Sequence, residues 1–165
     1  MNQQTTEQLL MIRPSCFYTN DQTAKNNYFQ QQTDEDHIST TEKAQREFDA
    51  FVLQLRSYGV SVHVWNDSLS PQTPDALFPN NWISFHHPST LITYPMFALN
   101  RQLEVNEGPI DFLQTKGFSF QNLIDYTSHI SSGVFLEGTG SMVLDRSNYI
   151  AYCALSTRTN QKLIT

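Results

Sequence analysis

Between Ala44 and Trp65 the spacing of apolar residues changes from one period to another, and that change limits the fold more than any other feature of the chain. Ala44, Phe48, Phe51, Val52 and Leu55 fall at i, i+4, i+7, i+8 and i+11, a single stripe along a helix. Gly59 follows, a residue suited to the position just past a helix end. Val60, Val62 and Val64 then alternate with Ser61, His63 and Trp65, the period of a strand with one buried face. Ser39 and Glu42 have the spacing of a capping box and predict the helix start. Upstream, QLLMIRP (Gln8–Pro14) is a short apolar run ended by a proline, which predicts a strand. Residues 15–37 have no period and are rich in Asn, Gln and acids; they predict a long surface loop of the kind that carries function.

The same elements return downstream. NWISFHH and TLITYP predict two strands around a turn at His87-Pro88-Ser89. EGPIDFLQTKGF predicts a helix with Pro109 in its first turn and Gly117 at its end. FSFQNLIDY, GVFLEGTGSMVLD and NYIAYCALS predict strands, the last two joined by a turn at Arg146-Ser147, and TRTNQKLIT opens another helix. Two strands, a helix and a strand thus recur in blocks of about fifty residues. An α/β chain with internal structural repetition is expected.

Charge and composition narrow the function. Ten basic residues against sixteen acidic ones give a net charge of −6, which argues against nucleic acid as partner. No apolar run approaches the roughly 20 residues of a membrane span, and the N-terminus has no basic region followed by an apolar one. Two cysteines, Cys16 and Cys153, do not make a disulfide framework. A reducing cytoplasm is the expected compartment.

The stretch Asp75 to Trp82, DALFPNNW, places two asparagines where the chain is about to enter a strand. Asn suits turns and not strands, so Asn80-Asn81 reads either as a plain turn or as a polar cluster at the mouth of a strand. Cys153 lies mid-strand among apolar neighbours and reads as an inert buried thiol; Cys16, at a strand end, reads the same way. His86 and His87 are consecutive in a strand and face opposite sides, so they cannot share one metal ion. His63 and His129 are isolated. Glu137–Ser141, EGTGS, resembles a phosphate loop, yet no lysine follows and MVLD reads as a strand; a tight turn or bulge is the plainer reading. Glu137 beside Gly138 is a carboxylate next to open backbone, which a flat cation can approach. Arg158 lies where LSTRTNQ passes from strand to helix, and an arginine there can hold a carboxylate in a fork; a solvated surface role is the alternative for it and for Arg101.

Several segments, in order, resemble the guanidino-group-modifying or pentein superfamily: MIRPSCFYTNDQTAKNNYFQ, DALFPNNWISFH, YPMFALNRQLEV and FLEGTGSMVLDRSNYIAYCALSTRT. The resemblance covers Met11 to Thr159 and is closest to amidinotransferase-like citrulline-utilisation hydrolases. Weaker similarity extends to dimethylarginine dimethylaminohydrolase, through PDALF, TLIT and LSTRTNQ. It implies a pentein α/β propeller of ββαβ blades with a central site, of which residues 1–165 supply the N-terminal portion of one domain, about three of five blades. The chemistry implied is attack of a cysteine thiolate on a guanidino or ureido carbon, with a histidine moving protons and with no metal or organic cofactor. By the same resemblance the catalytic histidine and cysteine lie downstream, and none of this chain's five histidines or two cysteines stands in their context. Asp75, Asn80, Asn81, Arg101, Glu137 and Arg158 match substrate-binding positions, and Asn20 and Asn27 lie in a segment resembling an entrance loop. Asn80-Asn81 stands where the methylarginine enzymes have Glu-Asp. Two neutral amides offer donors and acceptors without charge, so the departure points to a ureido group, as in citrulline, over a guanidinium. The partners implied are a citrulline- or arginine-like amino acid and, for the exposed strand edges of a partial ring, a second copy or the remaining half of the domain. The alternative is a truncated, non-catalytic relative that at most binds a small amino acid.

Overall fold

The computed structural model describes residues 4–24, 27, 30 and 36–164. They divide into two compact units, Glu7–Phe78 and Pro79–Thr165, the second joined by the first residues of the chain.

In Glu7–Phe78, strand β1 (Gln8–Arg13) pairs in parallel with β2 (Ser61–Asn66), from Gln8 opposite Ser61 to Arg13 opposite Asn66. The connection carries a helical turn α1 (Asp21–Ala24) and the long helix α2 (His37–Ser57). α2 begins before the predicted capping box. Asp36 Oδ1 accepts from the N–H groups of Ile38 and Ser39, both at 3.0 Å. That carboxylate satisfies two of the amides every helix start leaves open, so Ser39 lies inside the helix and does not cap it. The predicted stripe is narrower in the fold. Phe48 and Val52 are buried with Val62 of β2, and Met11, Leu55, Val60, Val64 and Leu77 pack around them, whereas Phe51 is 52% exposed. The predicted loop over 15–37 is interrupted by α1 and already helical at His37; its residues 25–26, 28–29 and 31–35 lie outside the described residues.

In the second unit, β3 (Ile83–His86) and β4 (Thr90–Thr93) form an antiparallel hairpin, Ile83 opposite Thr93 and His86 opposite Thr90. The short helix α3 (Leu99–Gln102), which no sequence period announces, and α4 (Gly108–Thr115) lead to β5 (Asn122–Asp125), parallel to β4. Pro109 sits in the first turn of α4, as its fixed φ and missing N–H favour. The sheet order β3-β4-β5 is thus one complete ββαβ block. β1–α2–β2 has the parallel crossover of that block, and β6 (Met142–Asp145) with β7 (Ile150–Cys153) has its hairpin. The described strands form three separate sheets of two, three and two strands, a mixed α/β fold.

Two predicted elements differ. GVFL is not a strand; only Leu136 makes a bridge, to Thr159. EGTGS holds a single helical turn, α5 (Gly138–Ser141), and β6 starts at once after it. The C-terminal helix expected from TRTNQKLIT is one 3-10 turn, Gln161–Leu163, started by Asn160, whose side chain accepts from Lys162 N–H. Tyr94, Leu136 and Met142 are the buried centre of a core that Ile92, Tyr126, Leu144, Cys153, Leu163 and Ile164 complete. Among the described residues no helix is long and apolar enough to cross a membrane.

Candidate functional site

The question raised by Asn80-Asn81 is answered within the second unit. Pro79–Asn81 is a 3-10 turn ahead of β3, and it packs against α5. Asn80 Nδ2 donates to Thr139 Oγ1 at 3.2 Å, and that hydroxyl donates back to the Asn80 carbonyl at 3.3 Å. The approach is close enough to require a glycine at 138 and to press on the Asn81 side chain at 140. A Cβ on Gly138 would collide with the Asn80 carbonyl oxygen and stand 3.0 Å from that of Asn81; the backbone there has φ +28°. A Cβ on Gly140 would stand 2.5 Å from Asn81 Oδ1. The glycines therefore serve neither a phosphate loop nor a bulge: they let the Asn-Asn turn lie directly on α5.

Glu137 leads into α5 and is 1% exposed. Its Oε1 accepts from the Phe97 N–H at 3.1 Å and its Oε2 from Arg158 Nη1 at 3.1 Å. Its own N–H donates to the Arg158 carbonyl at 3.0 Å, and its carbonyl accepts from the Ser141 N–H at 2.8 Å. A buried carboxylate is tolerable only with such a set of partners. Arg158 is thus drawn to Glu137 and not to open solvent; its side chain is 19% exposed. Trp82, next to Asn81, is 0% exposed, and its Nε1 finds no acceptor among the described residues, which costs about 1–3 kcal/mol.

Arg101 on α3 is 3% exposed. Nε and Nη2 donate to Glu104 Oε1 and Oε2 at 2.8 and 2.9 Å, a two-pronged ion pair inside the protein. Glu104 was not singled out in the sequence, although the i, i+3 spacing to Arg101 is readable there.

Three predicted residues belong to Glu7–Phe78. Asn20, 2% exposed, donates from Nδ2 to Asp75 Oδ2 at 2.6 Å and accepts at Oδ1 from the Gln22 N–H. Its carbonyl takes bonds from Thr23 N–H, Ala24 N–H and Gln30 Nε2. Asn27 is half-buried, with its carbonyl accepting from the Gln30 N–H at 3.2 Å. So Asn20 and the aspartate of PDALF, 55 positions apart, are a bonded pair.

The nucleophile candidates are weak in this chain. Burial pushes the Cys16 thiol up from its ordinary value. Cys153 packs against the core of Tyr94, Leu136 and Met142. Ser84 Oγ lies 2.7 Å from His86 Nε2 and 2.7 Å from Tyr94 Oη, which has the outline of a serine–histidine pair. The polarity is wrong for catalysis. Arg146 Nη1 stands 3.3 Å from His86 Nδ1; a guanidinium can only donate, so Nδ1 is the acceptor and the proton sits on Nε2, facing Ser84. A histidine already protonated toward the serine cannot take its proton. Burial, and then Arg146, hold His86 below its ordinary pKa, in keeping with a neutral ring. Among the described residues no three His, Cys, Asp or Glu side chains gather as metal ligands.

The family described as N,N dimethylarginine dimethylhydrolase, eukaryotic, matches residues 13–165. No curated protein matches. Among solved structures, unliganded AgrE is similar with TM-score 0.65 and 16% identity over 94% of this chain and 20% of its own. The N-terminal domain of ArgZ, an arginine dihydrolase from the ornithine–ammonia cycle in Cyanobacteria, bound to its substrate, has TM-score 0.63 and 15% identity over 94% of this chain and 51% of that one. An adduct of dimethylarginine dimethylaminohydrolase with S-methyl-L-thiocitrulline has TM-score 0.64 and 13% identity over 96% and 54%. At these identities the likeness is one of fold. The chain spans about half the length of the last two structures and a fifth of AgrE.

Proposed function

The chain belongs to the eukaryotic N,N dimethylarginine dimethylhydrolase family, and from that premise we propose that it is the N-terminal, substrate-holding portion of a single pentein domain that hydrolyses a guanidino or ureido C–N bond. The ligand is an arginine- or citrulline-like amino acid. The covalent step belongs to a cysteine and a histidine outside residues 1–165: thiolate attacks the central carbon, the leaving amine departs with a proton from the histidine, and water releases the ureido or carbonyl product. No metal or organic cofactor enters this reading, and the working compartment is the reducing cytoplasm. By itself the chain binds without turnover.

The observation that carries the reading is the packing of the Asn80-Asn81 turn on the glycines that follow a buried, doubly bonded Glu137. Arg158 already neutralises that carboxylate. A cationic guanidinium has to displace Arg158; a ureido group does not, and the amides of Asn80 and Asn81 can meet both its N–H and its C=O. Citrulline is therefore the favoured ligand class. Arg101 and Arg158 are assigned to substrate binding by the family resemblance, Arg101 held by Glu104 and Arg158 by Glu137. Asp75, held by Asn20, and Asn27 are kept as substrate-binding candidates within Glu7–Phe78.

Titration of the isotope-labelled chain with citrulline and with arginine tests this. Citrulline should shift the signals of Asn81, Gly138 and Glu137 at lower concentration than arginine, and Asn81→Asp should reverse the order. Both amino acids leaving those signals unmoved would remove the assignment. Ammonia release should be absent; release abolished by Cys153→Ser would make this chain an enzyme on its own. The non-catalytic relative stays the second reading, favoured by the buried Cys16 and core-facing Cys153.

A further inference from the structure

Thr139 stands between the two glycines of α5, against the first of the two asparagines. Backbone sets its place. Gly138 brings the turn onto the carbonyl groups of Asn80 and Asn81, and the flanks of α5 are tied down. Glu137 N–H and Ser141 Oγ both donate to the Arg158 carbonyl, at 3.0 and 3.2 Å, and Ser141 N–H donates to the Glu137 carbonyl at 2.8 Å. Thr139 and Asn80 are exposed, so water competes for any one bond between them. They make two, across 59 positions of sequence.

Those two bonds leave no choice of direction. A carbonyl oxygen only accepts, so Thr139 Oγ1 gives its one proton to the Asn80 carbonyl, at 3.3 Å. Only lone pairs remain on that hydroxyl. The atom of the Asn80 side chain that faces them at 3.2 Å is therefore Nδ2, the donor. A flipped amide would set Oδ1 against the same lone pairs with no proton between them. Thr139 thus decides which end of the Asn80 amide is which, and Oδ1 is the end turned away from it.

Asn81 is seated differently. A Cβ on Gly140 would stand 2.5 Å from its Oδ1, 2.7 Å from its Cγ and 2.9 Å from its Nδ2. The carboxamide therefore lies along bare backbone with both its ends close to Gly140. A glycine gives that amide room and brings no side-chain group that would favour one end over the other.

We propose that Thr139 is a positioning residue: it makes Asn80 a fixed hydrogen-bond acceptor for the terminal NH2 of a ureido ligand, while Asn81 can turn either end to it. The inference rests on the ligand class proposed above and divides the two amides within it. Asn80 Oδ1 reads a donor. A ureido end carries that donor; an acyl end, with a methyl in place of NH2, does not. The site therefore selects ureido amino acids against their acyl counterparts. The charges of Glu137 and Arg158 do not make this choice, because both ligands are neutral at that end.

Nuclear magnetic resonance of the full chain tests this, with citrulline and Nδ-acetylornithine as probes. Thr139→Val keeps the branched shape without the hydroxyl, Thr139→Ala removes it with less bulk, and Thr139→Ser keeps it; the backbone amide spectrum shows that each folds. Without ligand, the Asn80 side-chain NH2 signals should shift and exchange faster with solvent in the valine and alanine variants, and stay in place in Thr139→Ser. With ligand, the wild type and Thr139→Ser should bind citrulline roughly three- to tenfold more tightly than Nδ-acetylornithine, the worth of one hydrogen bond. Loss of the hydroxyl should bring that ratio toward one. Asn80 signals unmoved in a folded valine or alanine variant overturn the positioning role. A released Asn80 with the ratio undiminished, or a Thr139→Ser that loses the ratio, overturns the role in specificity. A wild type that binds neither amino acid removes the proposed ligand class and the selectivity with it, and the ligand-free Asn80 signals then still decide for or against the positioning role.

Discussion

Replacing Gly138 by alanine should damage the second unit far more than replacing Gly140, although the two are two positions apart in the same turn. At Gly138 the new Cβ meets the backbone carbonyls of Asn80 and Asn81, which cannot rotate away, and the backbone sits at φ +28°. The positive φ costs about 1–2 kcal/mol for any L residue with a side chain. Forcing the two turns apart adds about 1–3 kcal/mol, the range for overpacking. Gly138→Ala should thus cost about 2–5 kcal/mol. At Gly140 the Cβ meets the Asn81 side chain, which can turn to another rotamer for about 0.5–1.5 kcal/mol. The chain has two tryptophans, Trp65 in the first unit and Trp82, fully buried, in the second. Urea unfolding followed by Trp82 fluorescence in a Trp65→Phe background reads the second unit alone. Gly138→Ala should lower the midpoint strongly with the slope unchanged; Gly140→Ala should lower it slightly while moving the Asn81 amide signals. Equal losses, or a larger loss at Gly140, would refute the argument from the backbone contacts.

Three further outcomes are expected. Glu104→Gln should destabilise by about 3–5 kcal/mol, because it leaves the Arg101 guanidinium buried with a neutral partner; a loss under about 1 kcal/mol in urea titration would contradict the buried pair. His86 has a folded pKa below its ordinary value, so the unfolded chain takes up the proton first as pH falls. Stability should be full above about pH 6.5 and decline as pH drops toward the lower folded value, and His86→Gln should flatten that decline; an unchanged pH slope in the variant would count against the neutral, Arg146-facing ring. Iodoacetamide should label Cys153 well before Cys16, whose thiol is buried and raised; mass spectrometry showing the reverse order would contradict the burial of Cys16.

What the sequence could reveal follows from the range of each signal. The helix α2, the strand β2 and the turn at His87–Ser89 are each marked by several neighbouring residues, and all three appear in the fold, though Phe51 leaves the stripe and the burial of β2 does not alternate cleanly. Asp36 was hidden because Ser39 and Glu42 offered an equally valid cap three positions later, and only geometry chooses between them. α3 and α5 are single turns and are too short to show a period. The glycines of EGTGS were visible, but their reason, the Asn80-Asn81 turn 59 positions earlier, leaves no local trace. The Asn20–Asp75 bond is hidden in the same way. Ser84 and His86, two apart on one strand, share a face and could have been paired from the sequence; the direction of the proton between them depends on Arg146 and could not.

Glu137 joins three stretches of chain: the exit from β4 through Phe97, the turn α5 through Ser141, and the C-terminal segment through Arg158. The last of these is fastened to the unit partly by a charge, and a charge can be competed for. A ligand carboxylate that takes Arg158 from Glu137 would slacken the path of the polypeptide beyond Leu155, which is 64% exposed. A ligand that leaves the pair intact would keep that path taut. Protease sensitivity around Ser156–Asn160 thus becomes a readout of which end of an amino acid has engaged, one that requires no turnover and no label on the ligand.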